Sequence, residues 1–281
     1  MSNTTGRLYI VATPIGNLDD ITLRAIEVLR AVDRVVAEDT RHSGRLLMHL
    51  GIDRPMLSLH EHNEAEAARR AIAHLAAGES LALVSDAGTP LISDPGYGLV
   101  RLCREQGIEV VAVPGPSALV AALSVAGLPT DRFRFEGFLP RRQQARVAHL
   151  ESLRNETVTL VFYESSHRIL DALQDMADVF GASRRAVLGR ELTKLHETVL
   201  SAALGDLLDR VRTDENQRKG EFVILLAGAD AEADAASMDT DALLSALLEE
   251  LPLRQAASLA ARISGKKKNL LYRRALELEG R

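Results

Sequence analysis

Residues 81–96 read LALVSDAGTPLISDPG. Four consecutive aliphatic residues are followed by twelve in which glycine and proline recur. A short apolar run bounded by turn residues reads as a strand buried on both faces. Strands of that kind belong to parallel sheets covered by helices, and such sheets bind ligands beyond the carboxyl ends of their strands. The segment 85–96 is therefore expected to line a site.

The pattern repeats on either side. Runs at 8–12, 34–37, 56–59 and 110–113 also read as strands. Between them, 22–31, 43–50, 65–77, 98–106 and 117–126 carry apolar residues at helical spacing. Gly51, Gly78, Gly107 and Gly127 fall just past these helices, where a left-handed residue commonly ends one. Two further glycine- and proline-bearing loops follow strand ends: ATPIGNL at 12–18 and PGPS at 114–117. Such residues let backbone approach a ligand closely and hold the loop rigid, and Ser117 is placed to cap the next helix. Three loops of this type at one sheet edge predict a binding crevice.

Several common chemistries are missing. No G-x-x-x-x-G-K-[ST] phosphate loop occurs, no G-x-G-x-x-G follows the first strand, and no G-x-S-x-G elbow is present. His60-Glu61-His62 after the third strand lacks the spacing and partners of a metal site, so no metal is expected. The single cysteine, Cys103, cannot form an internal disulfide. The longest apolar run, 222–227, is far short of the ~20 residues of a membrane helix, and the first residues show no signal peptide. A cytoplasmic protein is expected.

Apolar periodicity breaks over 130–142, among Phe133, Phe135, Phe138 and a basic pair. Beyond it, 157–163, 186–189 and 222–227 read as strands and 143–153, 168–180 and 204–212 as helices. This predicts a smaller second α/β domain over 131–230 after a first over 1–130. Residues 229–239 are rich in Ala and Asp and read as a linker. The tail, 240–281, reads as helices at 241–251, 253–264 and 266–278, with Ala256, Leu259, Ala260 and Ile263 on one face. A helix, a turn at Gly265 and a basic helix suggest a helix-turn-helix. From Pro252 onward eight basic residues face two acidic ones, a net +6, so the remaining chain carries −11 of the total −5. An acidic body with a basic tail fits a catalytic unit carrying a polyanion-binding appendage.

The three loops resemble those of the tetrapyrrole-methylase superfamily, two α/β domains with S-adenosylmethionine in the cleft between them. AEDTRH (37–42), VFYESSHR (161–168), RELTKLHE (190–197) and GEFVILLAG (220–228) extend the resemblance and make the chain similar to its RNA-modifying branch. Asp19 and Ser166 stand where that branch commonly has glycine and proline. The resemblance implies 2′-O-methylation of a decoding-region cytidine of small-subunit ribosomal RNA, with the ribosomal subunit as partner and a homodimeric enzyme. It also implies a cofactor site of Pro14, Asp86, Gly88, Thr89, Leu91, Ile92 and Ser117, with Tyr163, Glu164, Leu192 and Glu221 from the second domain. Gly88-Thr89-Pro90 replaces the Gly-Asp-Pro of most of the superfamily.

A ribose hydroxyl is a weak nucleophile whose proton must be accepted as the new bond forms. Glu164, His167, Lys194 and Asp39 are the catalytic candidates. Arg41, Arg45, Arg141, Arg142, Arg146, Lys266, Lys267, Lys268, Arg273 and Arg274 are the expected RNA contacts, through phosphate. Two rival readings remain open here: a small-molecule tetrapyrrole methylase, and a non-catalytic RNA-binding protein.

Overall fold

The alternation read from the first half is realised as β1 (Arg7–Val11), α1 (Leu23–Ala31), β2 (Arg34–Ala37), α2 (Thr40–His49), β3 (Met56–Ser58), α3 (Glu64–Ala76), β4 (Leu81–Val84), α4 (Tyr97–Glu105), β5 (Glu109–Val113) and α5 (Ala118–Ala126). The computed structural model describes residues 6–60, 62–229 and 240–278. The five strands are all parallel, in the order β3-β2-β4-β1-β5. β4 is central and buried along its length. Its Leu81 and Leu83 pack with Leu75 of α3 and with Leu99 and Cys103 of α4. Ala82 and Val84 face the other way, toward Leu29 of α1 and Leu47 of α2. Both faces are thus covered, which is why the run shows no polar alternation. The three glycine- and proline-bearing loops leave adjacent strands, β4, β1 and β5.

A second five-stranded sheet comprises β6 (Phe133–Phe138), β7 (Thr159–Ser165), β8 (Arg185–Arg190), β9 (Thr198–Ala203) and β10 (Glu221–Leu226), in the order β6-β7-β10-β8-β9. β6 runs parallel to β7, and the other pairs are antiparallel. One face is covered by α6 (Gln143–Ser152), α7 (Ile169–Phe180) and α8 (Leu204–Thr213). Helix α5, which precedes this sheet in sequence, covers the other. Its Ala122, Leu123 and Ala126 pack on Val161, Val187, Val223 and Leu225. Both sheets fall in one compact unit, through residue 154 and again over 159–227.

Two strands were not read from the sequence. In β6 the pairing shifts register between Phe135 and Gly137, and Gly137 has φ +65°. That bulge destroys the period-2 pattern. β9 is an edge strand of small and half-buried residues, so it carries little hydrophobic signal.

Arg146 departs from its expected role as an RNA contact. It lies on the buried face of α6, only 4% exposed, and its Nε donates to Oδ2 of the equally buried Asp175 on α7 at 2.6 Å. Gln143 donates to the other carboxylate oxygen at 3.0 Å. Arg146 therefore ties two helices together and is shielded from polyanions.

The tail forms a separate compact unit that includes residues 155–158, the link between α6 and β7. It holds α9 (Thr240–Glu250), α10 (Leu253–Ser264) and α11 (Lys268–Leu278), around Leu244, Ala260, Leu271 and Ala275. Gly265, at φ +68°, ends α10 as expected. The buried face of α10 is Ala256, Ala257, Ala260 and Ser264, while Ile263 is 49% exposed, so the expected stripe is rotated. Arg274 pairs with Asp241 and Glu277, and Lys266 hydrogen-bonds Thr240. These two cations hold the unit together; Lys267, Lys268 and Arg273 are exposed. Among the described residues no helix is long and apolar enough to cross a membrane. The predicted linker, apart from Ala229, lies outside the described residues.

Breaking one side of a buried ion pair strands the other charge. Arg146→Ala should lower the unfolding free energy by about 3–5 kcal/mol, measured by urea denaturation, with the Arg146→Met/Asp175→Leu pair recovering most of the loss.

Candidate active site

The three loops are laced to one another by backbone and hydroxyl groups. The Thr13 N–H donates to the Gly88 carbonyl at 2.9 Å, and the Gly88 N–H donates to the Thr13 carbonyl at 3.0 Å. The buried Thr13 hydroxyl donates to the Ser85 carbonyl at 3.0 Å. Thr89 reaches the third loop, donating its hydroxyl to the Pro116 carbonyl at 3.0 Å. Gly88 has φ +85°, a conformation that disfavours a side chain.

Beside these loops lies a cavity of about 320 Å³. The first sheet contributes Ile15, Asp86, Ala87, Gly88, Thr89, Ile92, Ser93, Asp94, Ser117 and Ala118. The second contributes Phe138, Tyr163, Glu164, Ser165, Leu192, Lys194, Glu221, Phe222 and Val223. Among described residues, four that are not glycine have left-handed backbone: Leu91 (φ 73°), Ser93 (φ 71°), Glu191 (φ 52°) and Thr193 (φ 67°). All four sit in two of the loops that contribute to the cavity lining, those after β4 and β8. Such conformations cost of order 1–3 kcal/mol each and survive where the surroundings enforce them, typically at functional sites.

Of the residues that the resemblance implies, Asp86, Gly88, Thr89, Ile92, Ser117, Tyr163, Glu164, Leu192 and Glu221 line the cavity, and so does the catalytic candidate Lys194. Pro14 is buried within the first loop, and Leu91 packs toward the first sheet's core; neither lines the cavity. Asp39 and His167 are also outside the lining. Asp39 caps α2, accepts the Arg41 N–H at 2.8 Å, and pairs with the Arg41 guanidinium, whose hydrogen bonds hold its carboxyl down at about 2. His167 is exposed in the turn after β7. Ser117 stands at the N-cap of α5, but its hydroxyl makes no capping bond. Instead Leu119 N–H donates to the Tyr163 hydroxyl at 3.0 Å. The Tyr163 ring stands edge-on to Phe135 and Phe138, and burial pushes its phenol up.

Two polar groups define the wall from the second sheet. Glu164 is 1% exposed. Its Oε1 accepts from Ser165 N–H and from Arg168, each at 2.7 Å, while its buried Oε2 has no partner among the described residues. Burial raises this carboxyl and Arg168 partly offsets the rise. Lys194 spans Glu191 Oε1 at 2.8 Å and Glu221 Oε2 at 3.0 Å. Burial works against its charge, but those two acceptors prevail and hold it protonated, above the usual lysine range. Gly16 makes room for the Lys194 stem, since a Cβ there would stand 2.3 Å from Cγ.

Sequence reasoning missed Asp94, Ser93, Ala118, Ile15 and Phe138. Asp94 and Ser93 lie inside the loop that opened the reading, so their location was available. Their inward direction depends on left-handed turns at Leu91 and Ser93 that the residue types do not signal. His60 and His62 are edge-to-face at 6.1 Å between centroids, and Glu61 lies outside the described residues. Among the described residues no group of three or more His, Cys, Asp or Glu side chains is placed to hold a metal.

The family model for tetrapyrrole (corrin/porphyrin) methylases matches residues 7–208, and the model for the RsmI C-terminal HTH domain matches 232–279. The chain belongs to the tetrapyrrole methylases. Within them it is 55% identical over 278 residues to ribosomal RNA small subunit methyltransferase I of Escherichia coli O157:H7, covering 99% of this chain and 97% of that one. It is 56% identical over 280 residues to the protein of the same name from Pseudomonas aeruginosa PAO1, covering 99% of each. Several solved structures share the fold at low identity. Diphthine synthase superposes with a TM-score of 0.60 at 16% identity, over 79% of this chain and 90% of that one. The cobalt precorrin-4 methyltransferase CbiF gives 0.58 at 20%, over 79% and 94%. Uroporphyrin-III C-methyltransferase of Thermus thermophilus, in complex with S-adenosylhomocysteine, gives 0.55 at 20%, over 78% and 97%.

Tyr163→Phe removes the hydrogen bond that joins α5 to β7. A loss of about 1 kcal/mol in unfolding free energy is expected, read from denaturant melts, with no change in secondary structure.

Proposed function

We propose that this chain transfers a methyl group from S-adenosylmethionine to a ribose 2′-hydroxyl of a decoding-region cytidine in small-subunit ribosomal RNA. The near full-length likeness to small-subunit rRNA methyltransferases is the observation that carries this reading. The basic, helix-turn-helix-like tail fits an RNA substrate better than a free tetrapyrrole.

The cavity suits that cofactor chemically. Asp86, Asp94, Glu164 and Glu221 line it against one ammonium, Lys194, an excess of negative charge that favours a cationic sulfonium and α-ammonium. Ile15, Ala118, Leu192 and Val223 supply apolar wall for a nucleoside. The orphaned Glu164 Oε2 is a buried acceptor that needs a donor, such as a sugar hydroxyl or an exocyclic amine. When bound, S-adenosylmethionine supplies an activated methyl group with a neutral thioether as leaving group. The protein's part is to hold the donor, align the hydroxyl with it and exclude water. Alignment alone can supply about 7–11 kcal/mol. The braced loops serve that purpose: Thr13, Gly88 and Thr89 fix one side, Glu164 and the Lys194 ion-pair triangle the other.

RNA is expected to meet the exposed cations Arg41, Arg45, Arg141 and Arg142 on the catalytic unit and Lys267, Lys268 and Arg273 on the tail. We also propose that two copies associate through α5. Ser124 is the one polar residue of that helix, and its hydroxyl bonds back to the Ala121 carbonyl; Val120 and Val125 stand 61% and 54% exposed, more than a monomer's lone surface residue would explain. The cytoplasm, where ribosomal subunits are built, is the place of action.

Tritiated methyl donor incubated with unmodified small subunits should label one cytidine and leave an alkali-resistant dinucleotide. Label on a base, or none on RNA, contradicts the reading. Replacing Lys267, Lys268 and Arg273 by alanine should weaken RNA binding and lessen the salt slope by about 0.7–0.9 for each phosphate no longer neutralised. Val120→Glu with Val125→Glu should shift the sedimentation of the purified protein from dimer to monomer.

A further inference from the structure

We infer that Phe138 is the platform on which the target cytosine stacks once its nucleotide has been turned out of the RNA. The inference rests on the RNA-methylation reading above. A ribose hydroxyl reaches a methyl group held in a walled cavity when its nucleotide is splayed out of the surrounding stack. An extruded base loses the stacking of its neighbours, and an aromatic side chain can replace it. Among the described residues the lining holds three aromatic rings, Phe138, Tyr163 and Phe222. Phe222 is 2% exposed, in the core of the second sheet. Tyr163 is half-buried and committed, with its hydroxyl on the Leu119 amide and its ring edge-on to Phe135. Phe138 is 54% exposed. A ring so open stands where a molecule arriving from solvent first meets the cavity.

The backbone is bent to put it there. In the second sheet Val161 and Tyr163 face α5, and Phe162 between them faces the side covered by α6, α7 and α8. Phe135 pairs with Val161 and lies on the α5 side. Strict alternation from Phe135 would send residue 138 to the opposite side, into the core beside Phe162. The register shift inserts one residue, so Gly137 pairs with Phe162 and Phe138 with Tyr163. The bulge thus re-aims Phe138 toward the cavity, where its ring lies edge-on to Tyr163 at 5.6 Å between centroids. Gly137 meets the bulge's demand at φ +65°, and a Cβ there would stand 3.2 Å from Ser93 Oγ. On the other side Leu139 is buried in the core, and its carbonyl accepts from Arg168 at 2.9 Å. The ring is open while the chain on both sides of it is fixed, which lowers the ordering cost of a contact. Arg141 and Arg142 follow closely, both exposed, and are placed to take a phosphate of the same RNA segment.

Stacking on Phe138 favours the extruded nucleotide rather than RNA in general. Phosphate contacts give affinity that falls with salt and is blind to the base. The ring adds attraction only for a base already turned out, so it raises the share of bound substrate whose sugar faces the methyl donor. Leucine would supply apolar area without the flat π face, and tyrosine would keep that face. The contact moves no proton and breaks no bond.

The test compares wild type with Phe138→Tyr, Phe138→Leu and Phe138→Ala in single-turnover methylation of unmodified small subunits below saturation, at low and high salt. Calorimetry with S-adenosylhomocysteine reads cofactor binding without turnover. Phe138→Ala should be roughly 5–150-fold slower, the range of one base–aromatic stack. Phe138→Leu should be at least about fivefold slower, and Phe138→Tyr should stay within about threefold of wild type. Each ratio should be the same at both salts, because no phosphate contact is removed. Every variant should bind S-adenosylhomocysteine within about threefold of wild type. A leucine variant as fast as the tyrosine variant overturns the inference. So does a rate defect matched by an equal loss of cofactor affinity, which would set the ring against the donor's adenine instead. Should the alanine variant not fold, the comparison of leucine with tyrosine decides alone. Wild-type protein that makes no alkali-resistant product overturns the parent reading as well, and shows this before any variant is made.

Discussion

The paired backbone hydrogen bonds between Thr13 and Gly88 hold the chemistry of this protein in place. They join the loops after β1 and β4, two parallel strands that are neighbours in the sheet, although Thr13 and Gly88 stand 75 residues apart in sequence. Parallel strands leave their carboxyl ends on one edge, but nothing in strand pairing itself orders the loops beyond. Here the bridge does so, the Thr89–Pro116 hydrogen bond extends it to the β5 loop, and a glycine at φ +85° makes the close approach possible. The cavity wall formed by Asp86, Gly88, Thr89 and Ser117 is a consequence of that bracing.

The second sheet completes the wall through a helix that belongs to the first half in sequence. Helix α5 begins in the β5 loop, at the cavity, and packs its small apolar face on β7, β8 and β10. Tyr163 then reaches back to the Leu119 amide. The two sheets are thereby coupled at the cavity itself. Left-handed residues at Leu91, Ser93, Glu191 and Thr193 are tolerable under these conditions, because packing from both sheets offsets their local cost.

Much of this was legible in the sequence. The unbroken apolar run of β4 identified a doubly covered parallel sheet, and the glycines and prolines at 12–18, 85–96 and 114–117 located the crevice. Most of the residues that the resemblance and the strand-end rule assigned there line the cavity, while Pro14 is buried outside its lining and Leu91 turns toward the core. What stayed hidden was set by tertiary structure. β6 was masked by a bulge at Gly137, and β9 by its edge position. Arg146 looked like a surface cation next to Arg141 and Arg142, because composition cannot reveal that its helix face is occupied by α7. Asp94 was obscured for a related reason: its direction depends on left-handed turns at Leu91 and Ser93, and its carboxyl is raised by burial and by the nearby Glu38 and Asp86.

Charge divides the labour. Acidic side chains gather in the cavity, suited to a cationic methyl donor, and exposed cations lie outside it and on the tail, suited to phosphate. The claim beneath all of this is that the braced cavity is a receptor for S-adenosylmethionine. Titration calorimetry of the intact protein with S-adenosylhomocysteine tests it most directly. One site per chain is predicted, weakened about tenfold or more in Glu164→Ala, where the buried acceptor is lost. No heat of binding from folded protein, or equal affinity in that variant, would contradict it.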